Sequence, residues 1–238
     1  MNDKIMINNQ NILNYVMFKL DKLENGFTKD ELLKITEIVV NYHKEQEESS
    51  NFFLEFLKFD NLKALTLRNG YIFNDDYQFL LKLTNLTNIT FDHCEFENAD
   101  LITSLKLNSL SIINCKINNY TFINLFQNLK SLTIINGKVS INKINTLKNL
   151  EYLNISYSTI TDTENTLNIN SLMELHLDNT NITDLTFINN LSNLKKLTID
   201  ALQYNNNKEQ IDNLKNINLT IKNNLNLDMD GEGYEIWL

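Results

Sequence analysis

The hydrophobic residues of this chain follow one recurring pattern, Leu-x-x-Leu-x-Leu, in which Ile or Phe can replace the later Leu residues. The copies begin at Leu62, Leu86, Leu107, Leu129, Leu150, Leu172, Leu194 and Leu214. The intervals between these starting positions are 24, 21, 22, 21, 22, 22 and 20 residues. A fixed period in this range predicts a repeat architecture, in which every coil contributes one short strand and one return segment. The chain is therefore expected to be an α/β solenoid with a parallel sheet on one side.

Each position of the coil has a predicted direction, counted from the first Leu of the pattern. Side chains alternate along a strand, so positions four and six face inward while positions three, five and seven face outward. At position nine the chain leaves the strand, and the side chain there is expected to turn inward and satisfy backbone groups. That position holds Gly70, Cys94, Cys115, Gly137, Ser158, Thr180 and Leu202.

The return segments are expected to be short. A coil of 21 or 22 residues leaves room for 3₁₀ turns or irregular structure on the convex side, because a full helix needs more residues. The longer return after Leu67 is the exception, since residues 75–83 could hold a real helix.

The N-terminal region predicts a small helical cap over residues 1–34. Ile12, Val16 and Leu20 form a helical stripe that ends at Gly26, and Thr28 with Glu31 forms a capping box for a second, short helix. Residues 35–48 permit either a first degenerate strand or a continued amphipathic helix. The β-branched stretch there favours the strand, and 44–52 would then be a polar loop.

The remaining boundaries follow from the repeat. The solenoid is expected over 35–222, with a last strand in which Leu214, Ile217 and Leu219 take positions one, four and six. Residues 223–238 are expected to form a C-terminal cap, because the apolar face of an end coil needs a cover. Tyr234, Ile236, Trp237 and Leu238 would pack on the last coil.

One coil carries a family resemblance. The segment 175–199, with Asn181-Ile182-Thr183-Asp184-Leu185 at its corner, resembles the 22-residue repeat of internalin-like bacterial leucine-rich-repeat proteins, although Phe187 stands where that family often has Pro. The order of helix, Thr-x-x-Glu and degenerate first strand is similar to the start of such chains. The resemblance implies a sheet on a concave face that binds a protein or peptide.

Composition narrows the partners and the compartment. The formal charge of −9 argues against sequence-independent nucleic-acid binding and permits a basic protein partner. Asn residues interrupt the first twenty positions, so no secretory signal is expected, and no stretch approaches the ~20 apolar residues of a membrane span. A cytoplasmic monomer is the simplest expectation, although a secreted protein whose signal had been removed would look the same.

Catalytic and metal chemistry find almost no support. His93 and His176 lie in coils predicted to be roughly 15–20 Å apart, too far to share a metal. Cys94 and Cys115 occupy the same position in successive coils, where two buried, reduced thiols are favoured over a disulfide. A calcium loop starting at Asn226 would need Glu at its twelfth position and has Trp237. We expect no enzyme and no cofactor.

The outward positions supply the candidate binding residues. Ile113 and Ile135 would lie side by side at position seven, and Tyr152 and Tyr157 would complete an apolar, aromatic centre. Single exposed apolar residues are also normal on protein surfaces. The later coils carry an acidic stretch that could steer a basic partner or could simply be the solvated surface of an acidic chain. This stretch comprises Glu174, His176, Asp178 and Asp200.

Three functions are compatible with these observations. The first is a non-catalytic module that binds a protein or peptide on its concave sheet, since a rigid coil stack lowers the ordering cost of binding. The second is an immunity-type protein that neutralises a basic enzyme or toxin. The third is a secreted surface adhesin of the kind that the internalin resemblance suggests.

Overall fold

The computed structural model describes residues 4–42, 49–117, 120–162 and 166–223, and it divides into two compact units, Met1–Asn118 and Asn119–Leu238. Each unit has its own parallel strands and its own apolar core. The predicted C-terminal cap lies outside the described residues, apart from Asn223.

The described part of the first unit contains four short helices and four strands of a parallel sheet, with a two-residue strand pair beside them. The elements are α1 (Gln10–Leu20), α2 (Lys29–Leu32), β1 (Glu37–Asn41), α3 (Ser49–Phe56), β2 (Ala64–Arg68), β3 (Tyr71–Ile72), α4 (Tyr77–Leu80), β4 (Asn88–Asp92), β5 (Glu95–Phe96) and β6 (Ser109–Ile113). Two 3₁₀ helices, Asn74–Asp76 and Ala99–Ser104, lie in the return segments.

Strands β1, β2, β4 and β6 pair in parallel in that order. Their register aligns Ile38, Leu65, Ile89 and Leu110, which are all fully buried. The strand alternative for residues 35–48 is therefore confirmed as far as those residues are described. The loop predicted for 44–52 is wrong at its end, because α3 already begins at Ser49.

The N-terminal helices cover the first strand. Asn9 caps α1 by accepting hydrogen bonds from the backbone of Asn11 and Ile12, and the helix packs against β1 with Ile12 and Val16 buried. The predicted capping box is confirmed, because the Thr28 side chain accepts from Glu31 N while the Glu31 carboxylate accepts from Thr28 N.

The described part of the second unit repeats the arrangement with five strands in a parallel sheet. The elements are β7 (Ser131–Ile135), β8 (Lys138–Val139), α5 (Ile141–Ile144), β9 (Tyr152–Asn154), β10 (Thr159–Ile160), β11 (Glu174–His176), β12 (Lys196–Asp200), α6 (Ala201–Asn206), α7 (Lys208–Asp212) and β13 (Asn218–Lys222). The 3₁₀ helices Thr121–Leu125 and Thr186–Asn190 confirm the predicted type of return. The α-helices α6 and α7 were not predicted for a return segment. Helix α6 begins directly after β12, where Asp200 and Gln203 form a capping box.

The predicted register of the last coil is wrong by two residues. Strand β13 pairs with β12 so that Leu219 lies opposite Leu197 and Ile221 lies opposite Ile199. Leu219 therefore takes position four rather than six, and Lys222 takes position seven, opposite Asp200. A shift of two residues preserves the alternation of inward and outward side chains, so the hydrophobic pattern alone could not detect it.

Position eight has a left-handed backbone in three coils of each unit. The residues are Asn69, His93 and Asn114 in the first unit and Asn136, Tyr157 and Asn179 in the second, with φ between 52° and 60°. Asn adopts this conformation more readily than most other residues, because its short polar side chain can hydrogen-bond locally. This turn directs the chain from the strand into the return segment.

Position nine fulfils its predicted role with thiols and hydroxyls. Cys115 Sγ lies 3.3 Å from Phe91 O and accepts a hydrogen bond from Cys94 N, at 3.4 Å. Ser158 Oγ makes the equivalent pair of contacts in the second unit, with Ile134 O at 2.9 Å and Gly137 N at 3.1 Å. Both cysteines are buried and free, as predicted.

Candidate functional site

The second unit displays a polar and aromatic patch on the outward face of three neighbouring strands. The parallel register places Tyr152 of β9, Glu174 of β11 and Lys196 of β12 in one row at position three. His176 lies two residues further along β11, at position five and therefore on the same face. We call Tyr152, Glu174, His176 and Lys196 the outward patch.

Direct contacts hold the outward patch together. The rings of Tyr152 and His176 have their centroids 5.4 Å apart and are tilted by 46°. His176 Nε2 lies 3.0 Å from Glu174 Oε1, and Lys196 Nζ lies 3.2 Å from Glu174 Oε2. Each carboxylate oxygen thus has its own partner, and the ring of His176 is held between Glu174 and Tyr152.

The electrostatics of the outward patch centre on Glu174. Partial burial raises the pKa of this carboxyl, but the hydrogen bond with His176 and the contact with Lys196 outweigh that effect and leave the pKa below its usual value. The charge of Glu174 is balanced by Lys196 beside it. The outward patch is therefore an aromatic surface with little local net charge, whereas the sequence predicted that Glu174 belongs to an acidic stretch with His176, Asp178 and Asp200.

Tyr157 is the other predicted aromatic residue of this coil. It stands at position eight with φ of 60° and is 39% exposed, while its backbone N–H donates to Asp178 O at 2.9 Å. A bulky residue in the left-handed region is uncommon and costs free energy that Asn or Gly largely avoids. The coil thus presents an exposed ring from a strained backbone position.

The open, solvated position predicted for Asp178 and Asp200 is wrong, because both residues are buried within the fold. Asp178 Oδ1 accepts from Ser156 Oγ at 2.6 Å. Lys222 Nζ lies 3.3 Å from Asp178 Oδ2, an ion-pair distance, although that oxygen accepts no hydrogen bond among the described residues. The sequence did not predict this contact, because the register predicted for the last coil does not place Lys222 at position seven.

Asp200 is committed to the local backbone. Its carboxylate accepts hydrogen bonds from Gln203 N at 2.9 Å and from Asn179 N at 2.9 Å, so it caps α6 and supports the neighbouring turn. Gln203, which the sequence analysis overlooked, is buried, and its amide nitrogen lies 3.1 Å from both Leu177 O and Ile182 O. It supplies the inward polar group that Leu202 at position nine lacks.

The two isoleucines belong to different units. Ile113 ends β6 in the first unit and Ile135 ends β7 in the second, and each is partly exposed at an outward position seven. In the first unit, position seven also carries Asp92, whose carboxylate lies 2.6 Å from His93 Nδ1 and 3.5 Å from Arg68 Nε. His93 is exposed while Cys94 is buried, as the register predicts.

Chemically reactive arrangements are few in the described part of the chain. No group of three or more His, Cys, Asp or Glu residues could hold a metal there. The hydrogen bond of the Cys115 thiol with the Cys94 side chain raises the pKa of Cys115, and burial raises it further, so this thiol is kept protonated. Within those same residues, no helix combines the length and hydrophobicity needed to cross a membrane.

Comparison with known proteins identifies the architecture. No protein-family model and no curated protein matches the chain. Among solved structures it is similar to internalin C2 of Listeria monocytogenes, with a TM-score of 0.64 and 21% identity over 93% of this chain and 98% of that chain. An internalin (InlF) of the same organism matches with a TM-score of 0.52 and 18% identity over 88% of each chain.

A third similar structure comes from another genus. A leucine-rich-repeat protein of Leptospira interrogans matches with a TM-score of 0.52 and 19% identity, over 81% of this chain and 62% of that chain. At sequence identities of 18–21%, these structural matches show a similar fold and nothing further. Together with the repeat period, the strand register and the left-handed turn at position eight, they show that the chain has the leucine-rich-repeat fold of the internalin type.

Proposed function

We propose that this protein is a non-catalytic interaction module that binds a protein or peptide through the outward patch of its second unit. The observation that carries the proposal is the pairing of Tyr152 and His176 on adjacent strands, with Glu174 and Lys196 fixing the surroundings. Tyrosine supplies a large contact area at low conformational cost, and aromatic anchors dominate the energetics of protein interfaces.

The outward patch is better suited to bind a protein partner of low charge than a strongly charged partner. Its one carboxylate is neutralised by a neighbouring lysine, and the two other predicted acidic residues are buried. A partner that is strongly basic would find little unpaired negative charge there. These features support the general interaction module over the immunity-type inhibitor of a basic enzyme.

The test compares capture of partners by matched variants. Tyr152→Ala and His176→Ala remove the two rings from the outward patch, whereas Tyr204→Ala removes a ring from α6 in the return segment. We expect the double variant Tyr152→Ala/His176→Ala to lose a partner that the wild type and Tyr204→Ala both retain, with affinity reduced about 30-fold or more for two interface anchors.

Thermal unfolding of all three proteins should be compared first, so that lost binding is not mistaken for lost folding. Equal capture by the folded double variant and the wild type would show that the partner binds elsewhere. A bound partner should also shield the amides of β9 and β11 from hydrogen exchange.

A further inference from the structure

Two thiols meet at position nine of neighbouring coils in the first unit. Strands β4 and β6 pair in parallel, and the same register holds beyond their ends, because Glu95 lies opposite Lys116. Cys94 and Cys115 are therefore opposite each other, and neighbouring parallel strands place such residues about 4.8 Å apart. This separation lies inside the range of about 4.4–6.8 Å between Cα atoms that a disulfide requires.

The side chains of the two cysteines also contact each other. Cys94 N donates a hydrogen bond to Cys115 Sγ at 3.4 Å, and the two thiols are hydrogen-bonded to each other. Each thiol also donates to a carbonyl oxygen of the preceding coil. Cys94 Sγ lies 3.4 Å from Leu67 O. Cys115 Sγ lies 3.3 Å from Phe91 O. These contacts stabilise the reduced thiols, and they also keep the two sulfur atoms together.

The backbone role of position nine does not require sulfur. In the second unit, Ser158 makes the equivalent pair of contacts with a hydroxyl group. The chain has two cysteines in total, and both stand at this one pair of neighbouring positions. Two adjacent thiols provide a chemistry that hydroxyl groups lack, because they can be oxidised to a disulfide.

The two thiols differ in their readiness to react. The hydrogen bond from the Cys115 thiol holds the pKa of Cys94 below its usual value, although burial opposes this shift. The same contact and burial keep Cys115 protonated. A thiolate is the form that attacks an oxidant, and a neighbouring thiol then resolves the product. Cys94 is thus suited to the first step and Cys115 to the second.

We propose that Cys94 and Cys115 form a reversible oxidation site, at which hydrogen peroxide converts the two thiols into a disulfide between neighbouring coils. The Cys94 thiolate attacks one peroxide oxygen, the O–O bond breaks and hydroxide leaves, so that Cys94 becomes a sulfenic acid. The Cys115 sulfur then attacks the Cys94 sulfur, the S–O bond breaks, and the oxygen leaves as water with the Cys115 proton. In sum, two thiols and one peroxide give one disulfide and two water molecules, and a dithiol can reverse the oxidation.

Burial sets the rate of this oxidation. Cys94 is 0% exposed and Cys115 is 7% exposed, so peroxide reaches the sulfur atoms when the coils open locally. Oxidation of the folded protein should therefore be slower than that of an exposed thiol, and mild urea should accelerate it. Once formed, the disulfide closes the loop 95–114 and restrains the unfolded chain, so the oxidised protein should unfold at a higher urea concentration than the reduced protein.

Mass spectrometry of the full chain after treatment with hydrogen peroxide tests the proposal. The wild type should lose the mass of two hydrogen atoms, remain a monomer and regain its original mass with dithiothreitol. Cys115→Ser lacks the resolving thiol, so Cys94 should instead gain one or more oxygen atoms. Cys94→Ser lacks the attacking thiolate, so Cys115 should be oxidised at least about tenfold more slowly than the wild-type pair.

The wild-type result decides the proposal even if a serine variant does not fold. Thiols that stay reduced for about 100-fold longer than free cysteine needs for oxidation would overturn it, because local opening would then not expose the pair. Oxygen gained by both cysteines without a bond between them would overturn it as well. A covalent dimer would do the same, since it would show that the thiols meet between molecules rather than between coils.

Discussion

Tyr157 occupies a left-handed position that Asn69, Asn114, Asn136 and Asn179 occupy in other coils. Replacing it with Asn should therefore stabilise the protein by about 1 kcal/mol, because Asn is strained less in this backbone conformation. The ring is 39% exposed, so the packing lost is small. The measurement is the midpoint of urea unfolding for Tyr157→Asn.

The reverse exchange provides the control. Asn136→Tyr places a ring at the same position of the preceding coil and should lower the midpoint by a similar amount. Two stabilities that do not move in opposite directions would contradict the strain argument. If Tyr157 contributes to binding, Tyr157→Asn should also weaken partner capture while it raises stability, as expected where strain is retained at a functional surface.

Ser158 tests the equivalence of thiol and hydroxyl at position nine. Ser158→Ala would leave Gly137 N–H and Ile134 O buried without their side-chain partner, which should destabilise the protein by about 2 kcal/mol. Ser158→Cys should cost clearly less, because Cys115 makes the same two contacts in its own coil. Chemical unfolding of the two variants measures the difference, and equal losses would contradict the equivalence.

The sequence predicted position nine better than position eight. Inward polar groups at position nine follow from the need to satisfy the backbone where a strand ends, and the residue types there could be interpreted in advance. The left-handed turn at position eight carried a signal, since four of the six coils have Asn there. That signal was missed because outward polar residues at that position also fit a solvated surface.

At the scale of elements, the capping box of α2 makes part of the stability dependent on pH. The hydrogen bond from Lys22, with those from Thr28, lowers the pKa of Glu31 from 4.5 to about 2. Because the folded-state pKa is depressed, this contribution is fully present above pH 4.5 and is lost as the pH falls toward 2. Glu31→Gln should therefore lower stability at pH 7 and reduce the loss between pH 5 and pH 2.

Glu24→Gln is the matched control, since it removes the same charge from an exposed loop position nearby. Urea midpoints measured for both variants across this pH range give the comparison. The capping-box argument fails if Glu31→Gln and Glu24→Gln show the same pH dependence as each other.

Elements were predictable to the extent that local sequence fixes them. The Thr28–Glu31 box and the stripe of α1 are local signals, and both helices form on the residues that carry them. The predicted end of the first helix at Gly26 is wrong, because α1 already ends at Leu20, where Asp21 adopts the left-handed conformation that caps it. Helix α6 was missed because its signal, Asp200 with Gln203, overlaps the end of a strand. The register of the last coil was predicted wrongly because Leu214, Ile217 and Leu219 fit the leucine template. That predicted register differs from the observed one by two residues and therefore directs the same side chains inward.

At the scale of the whole molecule, the fold was predictable because the repeat encodes it many times over, so a single displaced coil does not change the architecture. The candidate binding surface is encoded only once. Its charges depend on which lysines reach which carboxylates, and Lys222 acquires its role only through the register of the last strand. The net charge of the chain is therefore a poor predictor of the local charge on the candidate surface.

This difference between global and local charge gives the last prediction. Although the chain carries −9 overall, the outward patch pairs Glu174 with Lys196, and Asp178 and Asp200 are buried. Binding through this patch should thus depend weakly on ionic strength, with an affinity change below about threefold between roughly 50 mM and 500 mM salt. A basic partner steered by the acidic chain would instead lose affinity steeply over that range. Titration of the captured partner at both salt concentrations distinguishes weak from steep salt dependence. Lys196→Gln provides the control, because it removes the lysine that balances the charge of Glu174. In this variant, the affinity for any basic partner should rise and its salt dependence should become steeper.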